Sequence, residues 1–119
     1  MMELSHKKLV VWKKSIELVN EIYTLTSGFP STEIYGITSQ LRRSAVSIPS
    51  NIAEGSARSS QIERRRYLEI ARSSLVELDT HLEIALTLQL CSDDDVQSIS
   101  ETMNRLFGLL SGLIKRTLS

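Results

Sequence analysis

Cysteine is nearly absent: Cys91 stands alone in 119 residues. A single thiol excludes an intrachain disulfide and any cysteine-cluster metal site, and it fits a reducing compartment. Proline occurs twice and glycine five times. Such sparse punctuation argues against a many-turned β-fold and suits a few long elements joined by short turns. Aromatic residues make up 5%, with one Trp and two Phe, so the core must be mainly aliphatic. No stretch approaches the roughly 20 consecutive apolar residues of a membrane span. The N-terminal "MMELSHKKLVVWKKS" lacks an apolar run followed by a small-residue cleavage site. The expectation is a cytoplasmic protein with no membrane partner.

Hydrophobic residues at 41% and charged residues at 24% are ordinary for a folded domain, and the length fits one domain, residues 1–119. Net charge is zero, with 14 Lys+Arg against 14 Asp+Glu. The charges are nevertheless segregated. Residues 42–72 hold seven basic and three acidic side chains, and residues 73–119 hold three basic and seven acidic. That asymmetry matters more for partners than the total does.

Four helices follow from periodicity, at about 7–27, 32–55, 60–90 and 93–117. In the first, Leu9, Trp12, Ile16, Val19, Tyr23 and Thr26 recur at steps of three and four, with Val11, Leu18, Ile22 and Leu25 widening the face. Gly28, as a left-handed terminator, and Pro30 end it. Ser31 or Thr32 caps the second, where Ile34, Ile37, Leu41, Ala45, Ile48 and Ile52 keep phase across Pro49. That register predicts one helix kinked at the proline; a true break into two shorter helices is the alternative. Ser60 with Glu63 forms a capping box for the third helix, whose stripe is Tyr67, Ala71, Ser74, Leu78, His81 or Leu82, and Ala85. Ser92 caps the fourth, with Asp93, Asp94 and Asp95 in its first turn. Short loops between long helices predict an all-α, antiparallel, up-down-up-down four-helix bundle.

Catalytic constellations are missing. A di-metal carboxylate site needs Glu-x-x-His spacing, whereas His81 has Glu77 four residues earlier, a spacing that reads as an exposed helical pair. Cys91 has no histidine near it in sequence and reads as a structural thiol. Trp12 reads as a core or interface anchor. No glycine-rich phosphate loop is present. No metal, cofactor or enzyme activity is expected.

Two surfaces remain. Arg42, Arg58, Arg64, Arg65, Arg66 and Arg72, with Arg43 beside them, are candidate contacts for RNA or DNA. The competing reading pairs them with Glu54, Glu63, Glu69 or the acidic third of another subunit. Along the second helix Gln40, Arg43, Ser47, Asn51 and Glu54 step 3, 4, 4, 3 as a polar flank. They alternate with Ser44, Ser50, Ala53 and Gly55, small enough to admit another backbone, which makes the flank a candidate oligomer seam.

The blocks "LVVWKKSIELVNEIYTLTSGFP", "EIYGITSQLRRSAVSIPSNIAEG" and "YLEIARSSLVELDTHLEIA" resemble those of the 23S rRNA-intervening sequence proteins. The resemblance runs from about Leu9 to Leu113 and is sharpest in "SQLRRSAVSIPSNIAEG". It implies a left-handed antiparallel bundle assembling as a homopentamer, with no enzyme activity. The accessory variability determinant of diversity-generating retroelements is similar in fold and markedly basic, whereas this chain is neutral. The expected function is a non-catalytic oligomeric accessory or scaffold protein touching nucleic acid weakly. The alternative is a module for a protein partner.

Overall fold

Reciprocal hydrogen bonds between Ser92 and Asp95 launch the last helix: the Ser92 N–H donates to Asp95 Oδ2 at 2.9 Å, and the Asp95 N–H donates to Ser92 Oγ at 3.3 Å. The bond from the Ser92 N–H, and after it a hydrogen bond from the Ser92 hydroxyl, favour the ionised carboxyl and hold Asp95 below its ordinary pKa. This capping is the pattern expected from sequence. The computed structural model describes residues 1–117 and contains four helices: α1 (Val10–Thr26), α2 (Ile37–Ser56), α3 (Gln61–Thr87) and α4 (Asp93–Thr117). Short 3-10 turns at Ser5–Lys8 and Ser31–Glu33 precede α1 and α2.

The helix limits differ from the periodicity in instructive ways. Leu9 is extended, so Lys7 and Lys8 belong to the preceding turn and α1 starts at Val10. Ser31 and Thr32 lie in a 3-10 turn, and Gly36 occupies the N-cap of α2. Gly28 is not left-handed; the left-handed residue is Gln89, at φ 59°. There the Leu90 N–H reaches the Ala85 carbonyl and the Gln89 N–H the Leu86 carbonyl, each at 3.0 Å. That pair of bonds is a Schellman closure built without glycine, and it ends α3 before residue 90. Pro49 lies buried inside a continuous α2, so the chain does not break there.

Each helix packs on two neighbours, α1 on α2 and α4, α3 on α2 and α4, with no diagonal contact among the described residues. The result is a square bundle. Leu18, Ile22, Leu41, Ile48, Ile52, Leu78, Leu106 and Leu110 are fully buried along its axis. Each such aliphatic contributes about 1.5–3 kcal/mol relative to exposure.

The core face of α1 is rotated from the one expected. Val11, Ser15, Leu18, Ile22 and Thr26 point inward, whereas Leu9, Ile16 and Tyr23 are exposed, with Trp12 and Val19 half-buried at the edge. The inward hydroxyls are satisfied within the helix: Ser15 Oγ donates to the Trp12 carbonyl at 2.6 Å and Thr26 Oγ1 to the Ile22 carbonyl at 2.8 Å. Small side chains that return their proton to the preceding turn can enter a core at little cost.

Candidate interaction surfaces

On α2 the polar flank divides. Its inner part faces α3, the most extensively packed neighbour. Ser47 Oγ lies 2.8 Å from Ser74 Oγ, and Asn51 Nδ2 donates to the Ser47 carbonyl and Oγ at 2.8 and 3.0 Å. Ser44, buried, donates to the Gln40 carbonyl and lies 3.2 Å from His81 Nδ1. A Cβ at Gly55 would stand 3.0 Å from Tyr67 Cβ and 3.2 Å from the Arg64 carbonyl. So the small residues of α2 admit α3 of the same chain at Ser44 and Gly55. The outer part of the flank, Gln40, Arg43 and Glu54, is exposed.

His81 corrects the expected exposed pair. Its side chain is 13% exposed, bound to Ser44 on one nitrogen and 3.9 Å from Glu77 Oε1 on the other. It ties α3 to α2. No group of three or more metal-ligating side chains stands together among the described residues. Cys91 is half-buried against the α1–α4 groove, and burial, then Asp95 and Asp93, pushes its thiol pKa up, away from nucleophilic chemistry.

The six candidate nucleic-acid arginines do not form one patch. Arg42 is drawn between helices, with Nε donating to Thr26 Oγ1 at 2.9 Å and its guanidinium 4.5 Å over the Tyr23 ring. Arg72 turns toward α4, donating to Ser111 Oγ at 3.1 Å and lying over Phe107. The others gather at the α2–α3 turn. Arg58 pairs with Glu54 at 3.1 Å, donates to the Tyr67 hydroxyl at 2.9 Å and stacks on that ring; the Tyr67 contact leads the causes that raise its pKa further. Arg64 Nε donates to the Arg58 carbonyl at 2.6 Å, and Arg65 pairs with Glu69 at 3.4 Å. Arg66 and Arg43 are exposed and without a side-chain partner among the described residues.

Up-down order also sorts charge by end. A cavity lined by Ser5, His6, Gly55, Arg64, Leu113 and Thr117 shows that the first turn, the end of α2, the start of α3 and the end of α4 converge. Lys7, Lys8, Arg58, Arg64, Arg65, Arg66, Lys115 and Arg116 therefore share one end, with Glu3, Glu54, Glu63 and Glu69 among them. Glu33, Asp93, Asp94 and Asp95 mark the other. Sequence reasoning treated the arginines as a linear cluster and missed the lysines. The bundle order was the signal that could have joined them.

One residue set was read as core and lies outside. Leu9, Ile16 and Tyr23 of α1 are 39%, 42% and 42% exposed, flanked by half-buried Trp12 and Val19. Arg42 over Tyr23 marks the α2 side of this stripe, and one turn further along α2 Val46, 41% exposed, extends it.

These features define a four-helix bundle whose candidate chemistry lies on its outer faces and ends rather than in its interior. The chain belongs to the family of 23S rRNA-intervening sequence proteins, whose family model matches residues 7–112. Among solved structures it is similar to a protein with unknown function from the S23 ribosomal protein family of Bacteroides thetaiotaomicron, a crystal structure at 1.70 Å resolution. The TM-score is 0.79 at 26% sequence identity, covering 89% of this chain and 99% of that one. No curated protein matches. Among the described residues no helix is long and apolar enough to cross a membrane.

Proposed function

We propose that the protein is a non-enzymatic, self-associating bundle that works as a scaffold or accessory subunit, assembled as a closed ring of identical chains. The observation that carries this reading is the apolar stripe of Leu9, Ile16 and Tyr23 with Val46, left outside a core that is already filled. Contiguous exposed apolar surface marks an interaction site. A ring needs two different faces per subunit, one meeting the other on the next copy. The apolar α1–α2 flank and the mixed faces elsewhere supply that inequality. The resemblance noted above favours five copies.

Light scattering coupled to size exclusion tests the reading. The wild-type chain should elute at about five times its own mass, and Ile16→Glu with Val46→Glu should give a monomer of unchanged helical content. A monomeric wild type, or a double variant that still assembles, would sink it.

A second reading concerns the basic end, which favours phosphate. The molecule is 43 Å long, several times the Debye length of about 8 Å at physiological salt, so a polyanion at that end is screened from the acidic one. Net neutrality is then no obstacle, and ring symmetry multiplies the basic surface. Of the expected contacts, Arg58, Arg64, Arg65 and Arg66 belong to this end, joined by Lys7, Lys8 and Lys115. Mobility shifts with structured RNA and single-stranded DNA should weaken steeply as salt rises. Absence of any shift at low salt would remove the reading.

A further inference from the structure

Between the Ser5–Lys8 turn and the ends of α2, α3 and α4 lies a cavity of about 380 Å³. That volume falls within the range of small-molecule sites, roughly 300–1,000 Å³. Its lining has two kinds of surface. Leu9, Leu68 and Leu113 form an apolar wall, and His6 and Arg64 supply hydrogen-bond donors. Among the described residues no acidic side chain lines it.

His6 is the informative residue. It is 8% exposed, and its ring rests edge-on against Trp12 with centroids 5.2 Å apart. Neither ring nitrogen has a hydrogen-bond partner among the described residues. Neither nitrogen is among the fully buried atoms that lack a partner, so the polar edge of the ring stays open to solvent and available to a ligand. Arg64 spends Nε on the Arg58 carbonyl, which fixes the guanidinium plane and leaves its terminal amino groups without a partner among the described residues. Two unspent donors, an apolar wall and the basic end of the bundle together select the ligand. An anionic head accepts from guanidinium and imidazole N–H groups, and an aliphatic tail covers the leucines.

We propose that this cavity binds a small amphipathic carboxylate, its head held by His6 and Arg64 and its tail lying against Leu9, Leu68 and Leu113. Every residue named comes from one chain, and Leu9 alone is shared with the proposed assembly stripe. Inorganic phosphate would satisfy the donors but leave the apolar wall uncovered, so the carboxylate with a tail is the better fit.

Titration calorimetry of the full chain with octanoate, acetate, inorganic phosphate and 1-octanol tests it, with circular dichroism to verify that each variant remains helical. Octanoate should bind saturably at one site per chain, with the other three at least about tenfold weaker, since each removes either the head or the tail. Arg64→Gln should weaken octanoate by about tenfold or more, the loss expected for a charge-assisted hydrogen bond. His6→Phe, which keeps a ring against Trp12, should weaken it as well. Arg72→Gln, on the α4 side of α3, should leave it unchanged. No saturable octanoate binding, equal affinity for acetate or phosphate, or equal loss in the Arg72 variant would each overturn the proposal.

Discussion

The hydroxyls of Ser47 on α2 and Ser74 on α3 lie 2.8 Å apart at the most extensively packed helix pair of the bundle. Asn51 donates to Ser47 from one turn away, so three polar side chains close on one another beside the core. Ser74→Ala should therefore cost about 1 kcal/mol, the net worth of a hydrogen bond with a partner left behind. Chemical denaturation measures it. The oligomeric state should not change, because the bond lies within one chain; a change in mass would reassign the pair to a seam between subunits.

Two glycines inside helices should respond with opposite sign. At Gly108 a Cβ meets nothing within 4 Å, so Gly108→Ala should stabilise by about 0.5–1 kcal/mol through helix propensity. At Gly55 the same atom would crowd Tyr67 Cβ and the Arg64 carbonyl. Overpacking there, about 1–3 kcal/mol, outweighs the same gain in propensity. Thermal melts should rise for the first variant and fall for the second; two shifts of one sign would refute the close approach of α2 and α3.

Gln89 closes α3 at φ 59°, where a side chain costs on the order of 1 kcal/mol that glycine does not incur. Gln89→Gly should raise stability by about that amount, less the extra entropy of the unfolded chain. Gln89→Val should lower it. A melt series in which glycine gains nothing over valine would contradict the left-handed closure.

Asp95 carries a pH prediction. Its folded pKa is depressed below the ordinary aspartate value by hydrogen bonds from Ser92, so its stabilisation is present above that ordinary value and is lost as pH falls through the folded pKa. Asp95→Ala should be less stable than wild type at neutral pH, with the gap closing below about pH 4. A gap constant from pH 7 to pH 3 would mean that the charge contributes nothing.

Much of this protein can be read from its residues. The capping Ser60 and Ser92 and the α2 register across Pro49 follow from local rules and are present. Those rules operate within a few residues, where backbone hydrogen bonding and helical period decide. The family resemblance is likewise carried by the sequence, and the family match bears it out.

Three matters needed the tertiary structure. α1 carries two adjacent apolar stripes, and periodicity cannot rank them; the inward one was selected by Ser15 and Thr26, which are small and satisfied by carbonyls of their own helix, so α2 and α4 can close on them. The candidate arginines looked continuous along the chain, yet successive helical residues point about 100° apart, and packing turned Arg42 toward α1 and Arg72 toward α4. His81 seemed a surface partner of Glu77 until α2 approached and brought Ser44 within 3.2 Å of its ring. The sequence alone determined which segments coil, because helical period and capping are local, while several helix limits shifted by a few residues in the fold. Which face each helix hides, and which polar groups meet across the gap, was decided only when four helices competed for one core.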